Sequence, residues 1–226
     1  MVALNLPAAL KALTAVVLGL FARQTPVLTP VQRAAVDVGR TVITTEQRPA
    51  SAWPAVTAYA FIDATPEQCA AIFTDVEAHT QYIASVTKAR ISRVIDSVTV
   101  EVDYTLAVPI VSDEEYTVRD HISRNGDHYR VDWTLVRASS TKATVGHALF
   151  LPYTNARTGR AGALLEYFNF VTPGSRLAGI SFVRNRASAS LRETTESIAR
   201  HVEAVRGTAA MTQRVTELRR IVGVLK

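Results

Sequence analysis

The sequence predicts an α+β fold, a curved antiparallel β-sheet wrapped around a long C-terminal α-helix, and three observations predict it. Between residues 88 and 172, apolar and polar residues alternate in successive segments, the period of strands with one face against a core. Asn125-Gly126, a strong hairpin-turn dipeptide, separates two of these segments and pairs them antiparallel. Residues 177–205 then change to helical spacing, with Leu177, Ile180, Val183, Ala187, Leu191, Thr194, Ile198 and Val202 on one stripe.

The elements follow in chain order. Residues 1–30 differ in composition from the rest. The mostly apolar run 4–22 would reach roughly 28 Å as a helix, close to a bilayer core. Its 12–22 stretch, behind Lys11, also has signal-peptide length, although no clean small-x-small cleavage site follows. It reads as an export or anchoring segment, with an amphipathic helix packed on the domain as the alternative. Residues 31–54 hold a short helix (Val31, Ala34, Ala35, Val38), an extended piece at 40–48 and a Pro-bounded linker.

The main domain is expected at 55–205. Residues 55–63 form its first strand, and Thr65 caps a helix that opens on Pro66 and turns Cys69, Ile72 and Phe73 inward. A second short helix at 77–86 offers Tyr82, Ile83 and Val86 to the core. Strands are then expected at 91–95, 98–106, 115–123, 128–137, 141–153 and 163–172, where Pro173-Gly174 stops the sheet. The clearest is 98–106: Val98, Val100, Val102, Tyr104 and Leu106 face one way, and Thr99, Glu101, Asp103 and Thr105 the other. In the long helix, Ala187, Ser188, Ala189 and Ser190 carry little bulk, which suits either close approach to the sheet or an enclosed space.

Residues 206–226 form a basic amphipathic helix with Met211, Val215, Leu218, Val222 and Leu225 on its apolar side. It could lie on an anionic membrane surface. Packing against residues 31–38 or the N-terminal helix is the favoured alternative, since an apolar stripe is ordinary tertiary contact.

Composition bounds the function. A chain of 226 residues, 48% hydrophobic and 20% charged, can bury one full core and excludes a disordered class. One cysteine, Cys69, excludes an internal disulfide and a cysteine-built zinc site. The formal charge of +5 is compatible with an anionic surface without specifying one. Basic residues interleave with acidic ones on both faces, which argues against nucleic acid. There is no Gly-x-Ser-x-Gly elbow, no His-Glu-x-x-His and no Gly-rich phosphate loop, and the histidines at 79, 121, 128, 147 and 201 lack metal-ligand spacing.

Two stretches, Ile62-Asp63-Ala64-Thr65-Pro66-Glu67-Gln68 and Ile72-Phe73-Thr74-Asp75-Val76-Glu77, carry a family resemblance. They resemble the strand, the small-residue-Pro-Glu helix start and the Thr-Asp break of the START-like, or SRPBCC, superfamily of helix-grip proteins. That superfamily includes lipid-transfer START domains, coenzyme Q10-binding proteins and polyketide cyclases. Residues 39–48 look like the lead-in of exported bacterial members, and the resemblance covers roughly 40–205. Departures are Cys69 and Ala70, where many members have an aromatic residue, and the absence of a Pro-Trp pair at 79–82.

The resemblance implies a hydrophobic tunnel between sheet and long helix that holds a lipid, sterol or quinone, for transport or sensing. Candidate wall residues are Tyr82, Tyr104, Trp133, Phe150, Tyr167 and Phe168, with Ile180, Val183 and Arg184 of the helix; any one of them is equally a core filler. His147 and Glu166 stand among apolar strand residues, and a buried charge needs a partner or a ligand head group, so both join the candidate site, with Arg184 as the expected partner of Glu166. A polyketide cyclase or aromatase-like enzyme is the alternative, with His147, Glu166 and Tyr104 as its acid-base groups. No cofactor or metal is expected. The expected partners are the hydrophobic ligand and an anionic membrane; the expected location is the cell envelope or periplasm, otherwise the cytoplasm.

Overall fold

Strand pairing sets the architecture. The computed structural model describes residues 28–48, 53–107, 113–174 and 181–223, the first eight of the last run by backbone alone. Eight strands, β1 (Val42–Glu46), β2 (Ala55–Ile62), β3 (Val86–Val94), β4 (Thr99–Leu106), β5 (Glu114–Asn125), β6 (His128–Ala138), β7 (Ala143–Thr154) and β8 (Ala161–Thr172), form one antiparallel sheet. The strand order is β1-β2-β8-β7-β6-β5-β4-β3. From β3 to β8 the chain meanders, with the predicted Asn125-Gly126 hairpin between β5 and β6. The closing contact is non-local: β2 pairs with β8, from Val56↔Asn169 to Ile62↔Ala163. The chain leaving β2 must therefore cross the sheet to reach β3 at the far edge.

It crosses as two short helices, α2 (Pro66–Phe73) and α3 (His79–Tyr82), joined by a 3-10 turn at Val76–Ala78. Thr65 and Gln68 form a reciprocal capping box at the start of α2, with Pro66 in the first turn, as the sequence predicts. Such a cap is worth about 1 kcal/mol. The same device, Thr29 with Gln32 ahead of Pro30, starts α1 (Pro30–Asp37). The extended 40–48 segment supplies the edge strand β1, paired from Val42↔Tyr59 to Glu46↔Ala55. Register shifts in β3–β4 and β5–β6 mark bulges that bend the sheet.

The register sorts the side chains onto two faces. On the concave face Ile62, Phe73, Ile122, Val131, Phe150 and Leu165 make one core with Ile198 and Val202 of the long helix α4 (Ser181–Val205). Leu191, further toward its N-terminus, packs on Val56 and Ala58 of β2. Of the expected stripe Leu191, Ile198 and Val202 are buried, and among the described residues only one position differs: Thr195, not Thr194, is fully buried, its hydroxyl donating to the Leu191 carbonyl at 2.8 Å. On the convex face α1 and Leu28 cover β7 and β8, with Val36 against Leu151, Tyr153 and Leu164. Asp37, buried there, accepts from the Tyr153 hydroxyl at 2.8 Å and the Ala156 amide at 3.2 Å.

The last helix, α5 (Ala209–Val222), corrects one expectation. It packs on α2, not on 31–38, and its Met211, Leu218 and Val222 enter the main core beside Cys69 and Ala70. Arg219 grips Glu67 with two bonds, Nε–Oε1 at 2.8 Å and Nη2–Oε2 at 2.6 Å, and Arg214 pairs with Asp75 at 2.7 Å. These residues of its apolar stripe face protein. Among the described residues no helix is long and apolar enough to cross a membrane. The apolar N-terminal run and the junction at 175–180 lie outside the described residues.

Candidate functional site

The concave face under α4 carries an aromatic group built around Phe73 at the end of α2. Its ring lies 5.8 Å from Phe150, 6.2 Å from Tyr167, 6.4 Å from Trp133 and 5.2 Å from the His79 imidazole. Trp133 and Tyr167 are 5.2 Å apart, and Tyr104 stacks on Tyr116 at 5.4 Å. Tyr82 stacks on His201 of α4 at 4.3 Å. Phe150 and Phe73 are buried, while Tyr82 of α3 and, on the inner face of the sheet, Tyr116, Trp133 and Tyr167 are only half-buried.

Trp133 owes its pose to a glycine. It is directly opposite Gly146 on β7, and a Cβ at Gly146 would overlap the indole. The ring therefore lies across β7, where Nε1 donates to Asn169 Oδ1 at 3.4 Å.

His79 is a buried polar group on this face. Its Nε2 is 2.8 Å from the Phe73 carbonyl, which can only accept, so Nε2 donates and Nδ1 accepts from the Tyr104 hydroxyl at 2.9 Å. Burial pushes its pKa down to about 4, the carbonyl opposing, and keeps the ring neutral. Asp120 of β5 lies opposite Trp133 of β6 and Val100 of β4. Its Oδ1 is enclosed without a hydrogen-bond partner, as is the Tyr82 hydroxyl. Burial pushes the Asp120 carboxyl up to about 7.

The expected site residues divide between the two faces. Tyr82, Tyr104, Trp133 and Tyr167 come together on the concave face, with Phe150 in the core beneath them. His147, Glu166 and Phe168 stand on the opposite face, since their neighbours Ala148, Leu165 and Tyr167 are the ones in the concave core. There His147 Nε2 bonds Glu166 Oε1 at 2.7 Å and stacks on Phe168 at 5.2 Å. Burial raises the Glu166 carboxyl, but the bonds from His147 and Tyr59 outweigh it and hold it below the usual range. Glu166 thus has His147 as a partner, and the expected pairing with Arg184 falls on a side chain outside the described residues. Ile180 lies outside the described residues, as do the side chains of Val183 and Arg184.

Sequence reasoning missed Asp120, Tyr116 and His79. Asp120 had a readable signal: it occupies the apolar register of β5 between Val118 and Ile122, where a carboxylate has no ordinary business. His79 had none, because α3 is one turn long and shows no period.

A groove of about 730 Å³ crosses β3 to β6 at Arg90, Asp103, Thr117 and Arg137, and Tyr104 and Tyr116 also line it. Arg90, Asp103 and Arg137 satisfy one another. Asp103 accepts from Thr117 at 2.6 Å, from Arg90 at 3.1 Å and from Arg137 at 3.2 Å, which lowers its pKa to about 2, the Thr117 bond foremost. Among the described residues no group of three His, Cys, Asp or Glu side chains is placed to hold a metal.

No protein-family model and no curated protein sequence matches the chain. Solved structures do. A STAR-related lipid transfer protein of Xanthomonas axonopodis superposes with a TM-score of 0.62 at 12% identity, over 72% of this chain and 93% of that one. Human StAR-related lipid transfer protein 5 gives 0.58 at 12% identity, over 87% and 96%. The di-domain ARO/CYC protein StfQ of the steffimycin biosynthetic pathway gives 0.52 at 13% identity, over 68% of this chain and 52% of that one. With the sheet order, the two crossing helices and the long α4 on the concave face, these likenesses show that the chain has the START-like, or SRPBCC, helix-grip fold.

Proposed function

We propose that the protein binds a hydrophobic small molecule between the concave face of the sheet and α4, and carries or senses it. One observation carries the reading: Tyr116, Trp133 and Tyr167 on the inner face of the sheet, and Tyr82 of α3, keep accessible surface beside a core in which Phe150, Ile198 and Val202 keep none. Aromatic rings that retain surface beneath a long helix are the walls of an apolar pocket with a few polar groups. Structural neighbours named as lipid transfer proteins support the same reading.

The test is native mass spectrometry of the full-length protein after exposure to a total lipid extract. One retained lipid class is expected and names the cargo; a protein that stays empty overturns the reading. The cyclase alternative has less to rest on. Two of its expected acid-base groups, His147 and Glu166, pair with each other on the convex face, and Tyr104 donates to His79. As part of the same proposal, residues 4–22 export or anchor the chain. Fractionation of cells expressing the full chain and one lacking residues 1–27 checks this, with loss from the envelope fraction expected for the shorter chain.

A further inference from the structure

A cavity that takes an apolar guest has no use for a carboxylate unless the guest carries something for it to bind. We infer that Asp120 is the polar anchor of the concave site, accepting a hydrogen bond from a neutral hydroxyl of the guest, so that the site selects lipophilic alcohols and phenols over carboxylates. The inference rests on the ligand-binding reading and narrows it.

Four observations carry it. Asp120 sits mid-strand in the inward register, between Val118 and Ile122 and opposite Trp133, so it faces the aromatic group and not solvent at a sheet edge. Its Oδ1 is enclosed without a partner, whereas three other polar groups of this face are spent: Tyr104 on His79, His79 on the Phe73 carbonyl, Trp133 on Asn169. The groups near enough to Asp120 to register its charge are the phenols Tyr104, Tyr116 and Tyr167. Among the described residues no cation pairs with it, and the nearby charged pairs, Arg119–Glu101 between β5 and β4 and Arg137–Asp103 between β6 and β4, engage side chains of the opposite register. A buried polar atom without a partner is costly, and a donor supplied by a ligand removes that cost. A second carboxylate brought to the same place meets repulsion that no cation among the described residues neutralises.

The experiment is isothermal titration of the full-length protein at pH 8 with 4-nonylphenol, 4-nonylbenzoate and nonylbenzene, three probes that share a tail and differ only in the head. In the wild-type protein the phenol is expected to bind about tenfold tighter than nonylbenzene and tighter still than the benzoate, the ratio appropriate to a charge-assisted hydrogen bond. Asp120→Asn keeps the shape and lowers phenol affinity about fivefold while raising benzoate affinity. Benzoate binding equal to or tighter than phenol in the wild-type protein overturns the proposal without any variant, and so does an Asp120→Asn protein with unchanged selectivity. Failure of all three probes overturns this proposal alone if the lipid extract yields a retained guest, and the ligand-binding reading with it if the extract yields none.

Discussion

At the scale of single residues, Asp120 places a cost on the empty fold that its titration exposes. Folded, its carboxyl holds a proton to about pH 7; its ordinary value is 3.8. Between those values the folded state binds more protons than the unfolded one, so this group lowers stability as pH rises from about 4 to 7, and the loss is complete above 7. A shift of that size corresponds to about 2–4 kcal/mol. Asp120→Asn is therefore expected to match the wild-type protein near pH 4 and to exceed it at pH 8, in urea denaturation followed across that range. An identical profile for the two proteins would show the carboxyl to be hydrated and ionised. In the variant the remaining slope has the other sign. His79, neutral in the fold with its pKa near 4 against 6.5, gives stability that is full above 6.5 and lost as pH falls toward 4. Gly146 makes a separate residue-level prediction. Gly146→Ala pushes the Trp133 indole off β7 and is expected to cost about 1–3 kcal/mol, with an altered near-ultraviolet dichroism band.

The elements show which parts of the fold were legible in the sequence and which were not. The residues of β4 alternate strictly, Val100 and Val102 in and Glu101 and Asp103 out, because one face of that strand is wet. Its inward face could be read directly, and Tyr104 was placed with it. β7 and β8 are covered on both faces, by α1 and Leu28 outside and by α2 and α4 inside, so Leu149, Phe150, Leu164 and Leu165 are all apolar. A run buried on both sides gives no period by which to choose a face, which is why His147, Glu166 and Phe168 were assigned to the cavity. The apolar stripe of α5 was equally plain, but a stripe says that a helix packs and not on what. Glu67 and Asp75 of the α2 region select it through Arg219 and Arg214. Those pairs are partly exposed and worth little singly, whereas Leu218 is fully enclosed. Leu218→Ala is accordingly expected to cost about 2–5 kcal/mol and Arg219→Ala no more than about 1 kcal/mol, by urea denaturation. The reverse order would mean that α5 is held by charge and could leave the domain.

At the scale of the whole molecule, connectivity explains why the cavity belongs at one end of α4. The β2–β8 contact closes the sheet on the side where Leu191 of α4 rests on Val56 and Ala58, and the crossing chain α2–α3 fills the middle of the concave face. The C-terminal half of α4 is fixed there by Ile198 and Val202, and α5 wedges in behind α2. Over β4, β5 and β6 the side chains of Tyr116, Asp120 and Trp133 are half-buried, which is where the proposed guest would sit. A guest in that space binds the folded state alone, so at a free concentration of 100 times its Kd it adds about 2.7 kcal/mol. For a chain of this size that raises Tm by roughly 5–10 °C in calorimetry. The pattern of protection is the sharper readout. Hydrogen exchange with the retained lipid bound is expected to slow in β4–β6 and in the N-terminal half of α4, and to stay as it was in α5, whose apolar side is already packed in the core. Slowing confined to α5 would place the guest on the outside of the domain, against a helix that the fold gives no means of opening.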